Sequence, residues 1–210
     1  MYQQANSFLR IVLCRSCARF VGASLLALSI VGCASSPPEP MALAPALSSP
    51  IDTWTLRAGL VVRTARNASR ATVLWRQNPA TYTLRFTGLL GTGLFEVRGS
   101  ESGEVEARFA DGRLRQAQSP DRLLESEIGW SAPFSDLRYW IVGAVSPQAA
   151  PAAEILFDAQ GRVVSLKQSG WTVRYENYQL SGDLSLPERI HFSKGEVSAE
   201  VRVHAWNPKV

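Results

Sequence analysis

The chain is poor in the residues that most enzymes and metal proteins depend on. It has 3 Cys and 2 His in 210 residues. Three Cys cannot form the dense disulfide framework of a small secreted scaffold. Two His leave little from which to build a histidine-rich metal site, so no metal and no cofactor is expected. Charge of one sign is also scarce. Lys and Arg number 22 against 18 Asp and Glu, a net of +4. That excess is too small and too unevenly placed for a nucleic-acid partner. The part beyond the leader holds no G-x-S-x-G elbow, no H-E-x-x-H, no C-x-x-C and no Walker lysine. Neither catalysis nor an internal energy source is expected. A spanning helix needs roughly 20 apolar residues in a row, and no run reaches that. Apolar residues as such are plentiful, at 46% against 19% charged, which excludes a disordered chain. The length suits one domain with extensions.

Arg10, Arg15 and Arg19 precede the apolar stretch Phe20 to Val31, and no acid occurs before it. A basic region followed by a short apolar one reads as an export signal. It runs into Ile30-Val31-Gly32-Cys33, which resembles the lipobox of bacterial lipoproteins. The resemblance implies cleavage before Cys33 and acylation of that Cys; the plainer reading is an ordinary signal with a chance Cys. Ala34 follows where Asp would imply retention at the inner membrane, so delivery to the outer membrane is implied. Residues 1–32 are thus read as a cleaved signal, and Cys14-Arg15-Ser16-Cys17 leaves with it. Without the leader the balance is 19 bases to 18 acids, a net of +1. Two or more acyl chains anchor firmly, because each buried methylene contributes about 0.8 kcal/mol.

Ala34 to Pro50 carries five prolines in seventeen residues, which block regular hydrogen bonding. Residues 33–50 are therefore read as the lipidated Cys and a tether, and 51–210 as one domain. That domain alternates with period two. Leu56, Ala58, Leu60 and Val62 oppose Arg57 and Arg63; Tyr82, Leu84 and Phe86 oppose Thr83 and Arg85; Val197, Ala199, Val201 and Val203 oppose Glu200, Arg202 and His204. One dry and one wet face is the antiparallel pattern. Turn residues such as Asn78-Pro79, Asp111-Gly112 and Lys194-Gly195 separate roughly ten or eleven strands. Two short helices interrupt them. Ser119-Pro120-Asp121 opens the first, and Ser135-Asp136 opens the second, ending at Gly143. A sheet of this length must curl to cover its dry face, and two short helices suffice only to plug an open end.

The order Trp54…Gly59, Trp75-Arg76-Gln77, Leu90-Gly91, Asp111-Gly112, Leu123-Leu124, Gly129-Trp130, Pro133, Leu137 to Gly143, Gly170 to Tyr175, Leu186-Pro187 and Trp206 resembles the LolB family across residues 51–210. The family receives lipoproteins at the outer membrane from a periplasmic carrier, LolA, and inserts them. The resemblance implies a mainly β fold: an unclosed antiparallel β-barrel of about 11 strands, with short lid helices over a hydrophobic cavity. It implies a lipid-anchored monomer on the periplasmic face, with lipoprotein clients, a LolA-like carrier and outer-membrane lipid as partners. One departure is Gly88-Leu89-Leu90-Gly91, where the family commonly has Pro-Leu-Gly.

Trp75, Trp140 and Trp171 are cavity candidates, with Leu137 and Ile141 on the lid; large aromatics also serve simply to fill a core. Leu89, Leu90 and Gly91 stand in a glycine-rich loop that is apolar where loops are usually polar. The resemblance implies that this loop protrudes and Leu90 touches the membrane; otherwise the leucines turn back into the core. Arg138 either holds the lid shut or is a solvated arginine. His191 and His204 read as ordinary wet-face residues. The principal alternative to lipoprotein insertion is an envelope assembly lipoprotein that docks another protein and has no lipid cavity. An envelope hydrolase is the third, disfavoured by the missing nucleophile–base motif.

Overall fold

The structure is a computed structural model, and it describes residues 51–88, 93–100, 105–131, 133–147, 149 and 154–209. Cys33, the tether, Leu89, Leu90 and Gly91 lie outside the described residues. Eleven strands occur among those described: β1 (Trp54–Arg63), β2 (Ala68–Gln77), β3 (Thr81–Thr87), β4 (Gly93–Ser100), β5 (Val105–Phe109), β6 (Leu114–Ala117), β7 (Glu154–Phe157), β8 (Val163–Gln168), β9 (Trp171–Ser181), β10 (Leu184–Lys194) and β11 (Val197–Pro208). Two helices, α1 (Pro120–Ile128) and α2 (Phe134–Trp140), separate β6 from β7.

All strands join one antiparallel sheet in the order β6-β5-β4-β3-β2-β1-β11-β10-β9-β8-β7. The first and last strands pair in its middle. The two free edges are β6 and β7, of 4 residues each. Short edges limit the unpaired backbone offered to other chains. The sheet is not closed on itself, because β6 and β7 are linked through the helical segment and not by a ladder.

Alternation put the apolar side chains into register across neighbouring strands. Leu56 pairs with Trp75, Trp75 with Leu84, Leu84 with Val97 and Val97 with Ala107. On the other half Leu60 meets Val201, Val201 meets Ile190 and Ile190 meets Tyr175. All of these are buried, each large aliphatic contributing roughly 1.5–3 kcal/mol. A glycine is required at one point of this face. Tyr82 is the cross-strand partner of Gly99, and a Cβ on Gly99 would lie 2.3 Å from the Tyr82 hydroxyl. The wet face carries ion pairs such as Glu96, which accepts from Arg85 Nε at 2.8 Å and Arg98 Nε at 2.6 Å. Burial pushes the Glu96 carboxyl up, and the two guanidinium groups more than reverse this and hold it below its ordinary range.

α1 begins and ends on local chemistry. Ser119 Oγ accepts from Arg122 N at 3.4 Å, Pro120 occupies the first turn, and Gly129 closes the helix at φ 73°. α2 departs from its sequence reading. It starts at Phe134, one residue before Ser135, and has no side-chain cap of its own. Its Phe134 N–H donates instead to Asp121 Oδ1 of α1 at 2.7 Å. Asp136, expected to open the helix, is buried and turned to other partners. No helix among the described residues is long and apolar enough to cross a membrane.

Candidate apolar site

The dry face of the sheet and the two helices enclose a small space lined by Leu56, Leu60, Val73, Trp75, Leu84, Phe86, Leu124, Ile128, Trp130, Leu137, Ile141 and Val201. Its volume is about 30 Å³, room for about two waters and far too little for an acyl chain. The interior is therefore shut in this structure. A second, open notch of about 400 Å³ lies at the rim, against Leu60, Val62, Ala71, Leu94, Phe95, Phe109 and Ile128. It exists because β2 outruns β3: their ladder starts only at Thr72–Thr87, so the end of the β1–β2 hairpin has no neighbour on that side. Leu60 and Ile128 line both spaces. The two spaces thus adjoin at one β1 side chain and the last residue of α1.

Of the sequence-predicted residues, Trp75, Leu137 and Ile141 are brought together at the inner space. Trp140 and Trp171 are buried but do not line it. Periodicity placed all of these on dry faces; which of them meet was not readable. Leu124, Ile128 and Trp130 were missed as lining residues, although the apolar spacing of α1 was a usable signal. A stack of rings was also missed. Trp75 stacks on Phe134 at 5.0 Å, Phe134 on Tyr82 at 4.3 Å, and Trp54 lies 5.0 Å from Trp75.

Trp140 serves as an anchor for α2. Its Nε1 donates to Gln168 Oε1 at 2.8 Å, and its carbonyl accepts from Tyr175 Oη at 2.9 Å. Gln168 Oε1 also accepts from Ser146 N at 3.0 Å, and its Nε2 donates to Ser146 O at 2.9 Å. Asp136 accepts from Ser146 Oγ at 2.6 Å and Ser169 Oγ at 3.0 Å. α2 is thereby bolted to the β8–β9 turn by a buried polar network. Among the described residues α1 has fewer polar ties: Asp121 accepts from Phe134 N of α2 at 2.7 Å, and Ser126 and Glu127 meet Arg115 of β6. α1 is otherwise held by Leu123, Leu124 and Ile128 in the core. Trp130 Nε1 is buried with no hydrogen-bond partner among the described residues, a cost of roughly 1–3 kcal/mol. Arg138 donates to Tyr139 Oη at 2.7 Å with its guanidinium over that ring. His191 lies on the wet face, 3.4 Å from Glu176. Among the described residues no His, Cys, Asp and Glu cluster forms that could hold a metal.

The hinge between the helices is pH-sensitive. Burial raises the Asp121 carboxyl above its ordinary range, the Phe134 N–H opposes this, and the nearby Asp136 charge adds to it. A carboxyl raised in the folded state contributes stability that is full below its unfolded pKa, near 4, and is lost as pH rises through the folded value. Asp121→Asn keeps the accepting oxygen and discards the charge. Its thermal midpoint is expected to exceed that of the parent at pH 7 and to converge with it at pH 4. Parallel melting curves at every pH would show that Asp121 carries no such linkage. Glu96 acts in the opposite sense in both proteins and cancels in the difference.

Among the described residues the chain is of the mainly β class in which one unclosed antiparallel sheet packs its apolar face against short helices. Residues 52–206 match the family described as outer membrane lipoprotein LolB. The chain is 32% identical to the outer-membrane lipoprotein LolB of Chromohalobacter salexigens over 196 residues, 89% of each chain. It is 30% identical to that of Pseudomonas aeruginosa over 161 residues, 77% of each. This chain belongs to the LolB family. Its relatives carry the name of a lipoprotein and not of an enzyme. Among solved structures, a LolA superfamily protein from Nitrosomonas europaea is similar at a TM-score of 0.48 and 10% identity, over 77% of this chain and 88% of that one. A DUF1329 family protein from Desulfovibrio piger is similar at 0.48 and 5%, over 76% and 86%. Nothing below rests on these two weak likenesses.

Proposed function

We propose that the protein takes lipidated clients from a periplasmic carrier of the LolA kind, holds their acyl chains in its apolar interior, and releases them into the outer membrane. The observation that supports this reading is the apolar lining of the inner space, which shares Leu60 and Ile128 with the open notch at the rim. The physical need is plain. Acyl chains with dozens of methylenes cost about 0.8 kcal/mol each when exposed to water, so each step of a soluble route requires shielding. In the shut state the interior has no room. Uptake therefore requires α1 to swing away from the sheet, while α2 stays bolted through Trp140, Gln168 and Asp136. Leu56, Leu60, Val73, Trp75, Leu84, Phe86, Leu137 and Ile141 then line the chains. The orphaned Trp130 N–H is a donor available to an ester carbonyl of the client.

Cys33 would carry the anchor that keeps the protein on the periplasmic face of the membrane, with residues 34–50 as tether. Leu89 and Leu90 would enter the bilayer during release. One buried leucine is worth about 1.5–3 kcal/mol, enough for a reversible dip. No energy source is needed if affinity rises from carrier to receptor to bilayer. The test is transfer of a labelled lipoprotein from carrier to this protein, with and without outer-membrane vesicles. The expected result is a stable complex in their absence and insertion in their presence. Absence of any saturable acyl binding would leave the docking lipoprotein as the better account.

A further inference from the structure

Several cations on the described strands have an acid partner. Arg85 and Arg98 share Glu96, Arg108 meets Glu106, Lys167 meets Glu154, and Arg189 lies between Glu176 and Glu200. Even at the notch Arg113 is taken by Asp111 and Arg115 by Glu127. The β1–β2 hairpin gathers three cations within eight residues, in a stretch with no acid between Asp52 and Glu96. Arg63 ends β1, Arg66 sits in the turn, and Arg70 lies on β2 opposite Val61. All three are exposed. None has an ion-pair partner among the described residues. The turn itself is tied: Thr64 N donates to Asn67 O at 2.9 Å, and Thr64 Oγ1 accepts from Asn67 N at 3.2 Å. Through Ser69, Arg70 and Ala71 this hairpin forms one wall of the open notch, whose lining mixes Arg113 and Glu127 with apolar side chains and whose other wall presents Leu94, 39% exposed at the start of β4. Arg63 lies round the edge of the same hairpin, on the face that carries Glu176 and Glu200.

We propose that this end of the barrel is a contact surface for an anionic phospholipid bilayer, with Arg63, Arg66 and Arg70 on headgroup phosphates and the notch facing the acyl region. It rests on the reading that clients leave through the notch into lipid, and names what that exit touches. The geometry favours a bilayer over a protein. Cations beside a hollow that presents Leu60, Val62, Leu94, Phe95 and Phe109 match a surface that stacks phosphates over hydrocarbon, whereas an acidic protein would satisfy the arginines and leave those apolar side chains uncovered. Each basic residue near an anionic surface contributes up to about fivefold in partitioning, within a Debye length that salt shortens.

The experiment uses the mature chain with Cys33→Ser, so that no acyl group holds it to lipid. Its partitioning is measured onto phosphatidylcholine vesicles with and without phosphatidylglycerol, at low and high salt. Binding is expected only with phosphatidylglycerol and to fall with salt. The R63Q/R66Q/R70Q variant is expected to lose between about tenfold and about 100-fold, and R63K/R66K/R70K to keep most of it. R57Q/R76Q/R202Q removes the same charge from the outer wall and is expected to bind as the parent does. Equal binding to both vesicles, an unaffected hairpin variant, or an equal loss in the outer-wall variant would overturn the proposal. So would a hairpin variant that binds vesicles normally but no longer receives client from the carrier, since the arginines would then face an acidic protein. Receipt of client without vesicles is scored separately: its failure in the parent chain removes the receptor reading, whatever the arginines do.

Discussion

Leu90→Glu is expected to accept a lipidated client from the carrier as readily as the parent and to deliver it to vesicles at least tenfold more slowly. The physical reason is the different medium at each step. On the proposed route acceptance needs only the apolar interior. Delivery needs the Gly88–Gly93 connection to reach hydrocarbon, where one leucine contributes about 1.5–3 kcal/mol and an ionised carboxylate is unfavourable. Losing that contribution alone corresponds to roughly 10-fold to 150-fold in rate if the dip precedes release. Leu89→Ala separates the two leucines, since a smaller effect there assigns the leading contact to Leu90. Delivery by Leu90→Glu at the parent rate would mean that these leucines turn back into the core.

Gln168→Leu is expected to cost about 3–5 kcal/mol in stability and to loosen α2. Gln168 serves three buried groups: Trp140 Nε1, Ser146 N and Ser146 O. Leucine has similar bulk and serves none, leaving each unsatisfied at roughly 1–3 kcal/mol. For a domain of this size the thermal midpoint should fall by roughly 10 °C. The functional readout is separate. If α2 is the fixed part of the cover and α1 the moving part, releasing α2 lets acyl chains escape, so a bound fluorescent fatty-acyl probe should dissociate faster. A variant as stable as the parent would show that the network contributes little. A destabilised variant with unchanged probe dissociation would show that α2 is not part of the enclosure.

Single residues show why some of this was legible in the chain and some was not. Leu56, Trp75, Leu84 and Val97 alternate with polar neighbours, and that period of two was enough to place them on a dry face, because one face of each strand meets water. It did not show that they fall into one row, which depends on pairing between strands. The α1 cap was legible in Ser119-Pro120 and Gly129, since donor, acceptor and backbone angle all lie within a few residues. The α2 cap was not. Its acceptor, Asp121, lies 13 residues away, and Ser135-Asp136 offered a closer but unused alternative. Trp140 sits on an apolar helix face in the sequence, yet its role comes from Gln168, 28 residues on. Leu60 and Ile128 looked like two ordinary core residues from a strand and a helix. Only the fold places both of them at the notch and at the inner space.

The scarcity of Cys and His, the near balance of charge and the absence of catalytic spacings were properties of the chain alone, and they excluded metal, disulfide and enzyme classes before any fold was known. Strand alternation, turn residues and the ordered family positions likewise belonged to the sequence, because each depends on local periodicity or on residue identity in order. Tertiary structure decided the rest. It showed that β1 and β11 close the middle of the sheet while β6 and β7 stay apart, that the interior has no room for an acyl chain, that α2 is held by a buried polar network and α1 by packing and fewer polar ties, and that three arginines of one hairpin have no ion-pair partner among the described residues. Each of these depends on groups far apart in the chain meeting or failing to meet, which no local pattern encodes.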